Sequence, residues 1–125
     1  MTNIEYWLTS SKDDFDTTEK LFASKKYNHS LFFVHLALEK ILKAIIVSKT
    51  NKPALPIHDL VRLAESVILK LSEEEKIQLA EISTFNVAAR YDDYKLQFYK
   101  KATLDYATKW IEIAKKLYSR FEKLI

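Results

Sequence analysis

The sequence predicts an all-α protein, and three observations carry that prediction. None of the 125 residues is glycine, against about 7% in ordinary proteins. Hydrophobic residues recur at three- and four-residue spacing through several long runs. Two such runs are preceded by Ser/Thr-x-x-Glu, "TNIE" at 2 to 5 and "SEEE" at 72 to 75, the capping-box signature of a helix start. Tight hairpin turns draw on Asn-Gly or Asp-Gly, and neither dipeptide occurs.

The first helix is predicted from Thr2, with Ile4, Trp7, Leu8, Phe15, Leu21 and Phe22 at helical spacing. Asp13, Asp14 and Asp16 lie between them and are expected in solvent. "SKKYN" at 24 to 28 breaks the pattern. The second helix is expected from Tyr27 to Lys49, on a stripe of Leu31, Val34, Leu38, Ile41 and Ile45 widened by Leu42 and Ile46. Its ~22 residues span about 33 Å. "TNKPALPI" at 50 to 57 is a loop with two prolines. His58 and Asp59 open a short third helix with Leu60, Leu63, Ala64 and Val67 inward, and Asp59 suits its dipole. Ser72 starts a fourth, with Ile77, Leu79, Ala80, Ile82 and Phe85, and the pattern weakens after Ala89. The last helix has two apolar stripes. One runs Leu104, Ala107, Ile111, Ala114, Tyr118, Phe121 and Ile125. The other runs Tyr106, Trp110, Ile113, Leu117 and Leu124. Two stripes imply contact with two helices of the same bundle or with a partner chain.

Composition narrows the function. At 125 residues and 48% hydrophobic content the chain suits one domain, 1–125, with one core. No apolar run approaches the ~18 residues of a membrane span, and the N-terminus is too acidic and polar for a secretory signal. Without cysteine there is no thiolate chemistry or disulfide framework. These features read as cytoplasmic. A net charge of +3 permits phosphate contact without demanding it. The lack of glycine excludes glycine-rich phosphate loops, and no cofactor is expected.

The search for chemistry gives few candidates. The three histidines, His29, His35 and His58, form no HExxH pair. His35 and Glu39 lie one turn apart, but the ExxH motifs of di-iron bundles are missing. No metal site is expected, and His35 reads as a partly buried histidine bonded to Glu39. Asp92 and Asp93 are adjacent and point in different directions on a helix. The remaining candidate is "AARYDDYKLQFYKK" at 88 to 101. Arginine offers a planar fork for phosphate, and tyrosine and phenylalanine rings can stack a base. The other reading of the stretch has Tyr91, Tyr94 and Phe98 sealing the bundle end, with Arg90 paired to an aspartate.

"LALEKILKAIIV" at 36 to 47, "HDL" at 58 to 60 and "ARY" at 89 to 91 followed by aspartate together resemble the HEPN family, in order and spacing from about Trp7 to Leu124. The resemblance implies an up-and-down bundle of about five helices with two long antiparallel helices. It implies homodimers with a cleft near the two-fold axis. Many prokaryotic members are encoded beside a minimal nucleotidyltransferase and act with it, some as toxin and antitoxin. Nuclease members cut RNA without metal, using an arginine followed four to six residues later by histidine. Here the arginines are Arg62, Arg90 and Arg120, and none is followed by histidine at that spacing. The resemblance therefore implies a non-catalytic module binding a nucleotide, an RNA or a nucleotidyltransferase partner. Arg90, Tyr91 and Lys95 would contact the ligand, and Lys40 and Lys43, from the family's "EKxxK" pattern, are secondary phosphate candidates. His58, Asp59 and Glu39 would support the cleft, with Glu39 salt-bridged to Lys43. A divergent ribonuclease toxin would use Arg90 with Tyr94, Lys95 or His58. A third alternative is a purely structural interaction protein.

Overall fold

The computed structural model describes residues 2–67, 69–92 and 95–125. They form six α-helices and no strand: α1 (Asn3–Ala23), α2 (Tyr27–Thr50), α3 (Leu60–Glu65), α4 (Glu73–Arg90), α5 (Gln97–Lys101) and α6 (Leu104–Glu122). Both capping boxes close. Thr2 Oγ1 accepts from the Glu5 amide at 3.1 Å, and Ser72 Oγ from the Glu75 amide at 3.0 Å. In return, each glutamate accepts from the amide of its capping residue. Asp59 caps α3 from just outside it, accepting from the Arg62 amide at 3.1 Å.

The long helices alternate in direction. Trp7 packs by Lys43 and Ser10 bonds Lys40, so α1 and α2 are antiparallel. Phe15 meets Tyr118 and Glu19 meets Lys115, so α6 runs against α1. Glu75 pairs with Arg120 and Glu81 with Tyr106, so α6 also runs against α4. The result is the expected up-and-down bundle. The short α5 is the helix beyond the five read from the sequence.

Helix α2 is the centre. Leu31, Leu38, Ile41, Leu42 and Ile45 are fully buried, and α1, α3, α4 and α6 all pack on it. A helix so apolar around its circumference belongs inside. Phe85 of α4 is fully buried among Phe98, Tyr106 and Trp110, with ring centroids 5.8 to 6.1 Å away. Both stripes of α6 face its own bundle, although Leu104 and Ile125, the two ends of the first stripe, are exposed.

Three expectations need correction. Asp14 is buried, because its carboxylate faces Lys40 across the α1–α2 contact at 2.7 Å. Ile77 and Ala80 point outward, because α4 buries the opposite line of Leu79, Ile82 and Phe85. His35 is fully buried, and its hydrogen bond goes to a backbone carbonyl rather than to Glu39.

Candidate functional site

A polar cluster is built on one face of α2. Phe32, Glu39 and Lys43 are spaced by seven and four residues, so they lie on one stripe, with His35 beside it. Glu39 is buried and has two partners. Its Oε2 accepts from Lys43 Nζ at 3.0 Å, and its Oε1 lies 2.9 Å from His58 Nδ1. A carboxylate in a low-dielectric site needs such donors to offset lost hydration. The Lys43 ammonium is itself buried and lies 5.3 Å from the Trp7 ring centre. This is the salt bridge the sequence suggested, here covered by α1.

His58 is held twice. Its backbone carbonyl accepts from His35 Nε2 at 2.9 Å, which fixes the His35 proton on that nitrogen. Its imidazole is fixed through Nδ1 by Glu39, while the side chain stays 62% exposed. Burial, opposed by the bond to the His58 carbonyl, holds His35 below the ordinary histidine range. The next residues tie this loop to α4, because the Leu60 amide donates to Ser83 Oγ at 3.0 Å. Lys40, the residue after Glu39, bonds Asp14 and Ser10, both at 2.7 Å.

The second half of the site is the end of α4. Arg90 is exposed, and its guanidinium lies 5.3 Å from the Phe32 ring centre, on the same α2 stripe as Glu39. Tyr91 ends the helix and is 70% exposed, so it does not seal the bundle. Phe98 does, packing on Phe85. Asp92 accepts from the amides of Phe98 and Tyr99 at 3.0 and 2.9 Å, which starts α5. Lys95, Tyr99 and Lys100 are exposed. Tyr94 and Asp93 lie outside the described residues. A groove of about 270 Å³ runs between the α1–α2 turn and α5, lined in part by Lys25, Tyr27, Asn28, Tyr99 and Lys100. A larger hollow of about 620 Å³ is an open shelf lined by residues 112 to 124 alone, with no facing wall.

The structure thus places Arg90 and His58 over one stripe of α2, with Tyr91 and Lys95 beyond Arg90. Lys40 and Lys43 lie on the α1 side and are engaged with carboxylates. Among the described residues no three His, Asp or Glu side chains are grouped to hold a metal. The sequence reading missed Phe32, Ser83 and the groove, and it included Tyr99 in the candidate stretch without singling it out. The only linear signal was the seven-residue spacing from Phe32 to Glu39.

This architecture defines a class: an all-helical module with a buried, charge-compensated central helix and an exposed aromatic and cationic end. The HEPN domain profile matches residues 4–124. The chain belongs to the HEPN family. The crystal structure of TT1696 from Thermus thermophilus superposes with a TM-score of 0.86, covering 100% of both chains at 16% identity, which is a likeness of fold. No curated protein matches the sequence. No described helix is long and apolar enough to cross a membrane.

Proposed function

We propose that the protein is a single-domain, cytoplasmic HEPN module that acts as a homodimer and binds a nucleotide or single-stranded RNA without cleaving it. The observation that carries this reading is the exposed run Arg90, Tyr91, Lys95, Tyr99 and Lys100 beside a groove. Cations follow a phosphate backbone, and exposed rings stack bases at about 1–3 kcal/mol each. Arg90 is pre-positioned by Phe32, which lowers the ordering cost of a phosphate contact. A minimal nucleotidyltransferase, as in a toxin–antitoxin pair, would be a partner of this module.

The test is fluorescence anisotropy of a labelled single-stranded RNA and of labelled nucleotide. Arg90→Ala and Tyr91→Ala are expected to weaken binding by roughly tenfold or more, the equivalent of about 1.4 kcal/mol. Lys116→Ala, on the outer face of α6, serves as the unaffected control. Equal affinity for all four proteins would place the ligand elsewhere.

One observation favours a second reading, a divergent metal-independent ribonuclease. The exposed His58 imidazole is oriented through Nδ1 by a buried carboxylate, an arrangement suited to proton transfer at the other nitrogen. RNA cleavage in excess EDTA that is lost in both His58→Ala and Arg90→Ala would establish it. Intact RNA with all three proteins would leave the binding module.

A further inference from the structure

The outer face of α4 differs from those of the other long outer helices. Helix α1 exposes Lys12, Asp13, Asp16, Glu19 and Lys20, and α6 exposes Lys109, Glu112, Lys115 and Lys116. Between Lys76 and Arg90, α4 carries one charged residue, Glu81, and Glu81 is turned onto Lys101 and Tyr106. What α4 exposes instead is Ile77, Ala80, Thr84, Val87 and Tyr91. Ile77 is 68% exposed, Val87 60% and Tyr91 70%. Their spacing is 3-4-3-4, the narrow seam of a coiled coil rather than the broad stripe of a core-facing helix. The core-facing line of Leu79, Ile82 and Phe85 lies on the other side of the same helix. A helix apolar on both sides is one built to be covered twice.

Charge at its two ends says what covers it. Glu73, Glu74 and Glu75 fill the first turn, and Arg90 is in the last turn with Lys95 beyond. An antiparallel copy of α4 sets acid against base at both ends at once, as a two-fold axis requires. A parallel copy would set like against like. We propose that the α4 seam is the face through which a second copy of this chain docks, antiparallel, with Ile77 packed on the partner's Val87 and Ala80 on the partner's Thr84. In that register Glu74 lies opposite the partner's Arg90. The candidate binding site therefore lies at the end of the seam and is bordered by the second subunit. The proposal rests on the homodimer in the function proposed above and assigns its face.

The test uses light scattering across the micromolar range on the whole chain. Val87→Glu and Ile77→Lys each bury an unpaired charge in the seam and are expected to raise the dimer dissociation constant by roughly a hundredfold. Residues 77 and 87 are about 15 Å apart along their own helix and do not meet within one subunit. In the double variant each glutamate faces the partner's lysine, so the dimer is expected to return. Both positions are exposed in the subunit, so circular dichroism and melting of the monomeric variants should match those of the wild type. A wild type that is monomeric throughout would overturn the homodimer together with its face. A dimer that survives both single changes would overturn the face alone. Monomeric single variants whose double variant stays monomeric would overturn the antiparallel register while leaving the seam as the face between the two copies. RNA binding by the wild type, compared with Arg90→Ala at the same concentrations, tells failure of the binding reading apart from failure of the face.

Discussion

At the residue scale, Glu39 ties α1, α2 and the loop before α3 together. Its carboxylate accepts from Lys43, which packs under Trp7, and meets His58 at the loop. His35 locks the same loop through the His58 carbonyl. Burial is the largest influence on His35 and holds it below the ordinary 6.5, so the folded protein keeps this imidazole neutral where the unfolded chain takes up a proton. Stability from His35 is therefore complete above about pH 6.5 and is lost as pH falls below it. One proton sets an upper slope of about 1.4 kcal/mol per pH unit. His35→Gln can keep the donor to the carbonyl and removes the titration. Its urea midpoint is expected to fall less than the wild type's between about pH 7 and about pH 5. Equal falls would show that His35 does not contribute to the acid sensitivity.

At the element scale, helix starts carry their own instructions. Thr2, Ser72, Asp59 and Thr103 each bond an amide three residues on. The starts at Thr2 and Ser72 were legible as capping boxes, because the capping residue and its glutamate are neighbours in sequence, whereas Asp59 was read as a residue of the first turn and lies just outside it. Helix α5 was not legible. It starts on Leu96 in the left-handed region, φ 55°, without glycine, which costs about 1–2 kcal/mol. Its cap is Asp92, several residues upstream. Asp92→Ala is expected to cost about 1 kcal/mol and to fray α5. Amide exchange at Phe98 and Tyr99 should accelerate while the protein stays folded. Unchanged exchange there would show that packing of Phe98, not the carboxylate, holds α5. The outward line of α4 was also missed, because its inward and outward residues are both apolar and periodicity alone does not say which line meets the core.

At the scale of the molecule, the helical class and the positions of the long helices could be read directly, since apolar spacing is local to each helix, whereas their up-and-down packing came from the family resemblance. The contacts that shape the candidate site could not. Lys40 with Asp14, Leu60 with Ser83 and Arg90 with Phe32 join residues 23 to 58 positions apart. The core that supports them converges on Phe85. Phe85→Ala is expected to cost about 3–5 kcal/mol, a large part of the about 5–15 kcal/mol that holds a domain folded, and thermal denaturation will show the drop. A loss under about 1 kcal/mol would mean that α4 and α5 rearrange to fill the space. The chain's two tryptophans divide between these regions. Trp110 is in the Phe85 group, and Trp7 covers the ammonium that neutralises Glu39. Each region thus contains its own fluorophore. With Trp110 replaced by phenylalanine, the remaining emission comes from Trp7 beside Lys43, so events at the His58 loop can be followed optically without attaching a dye.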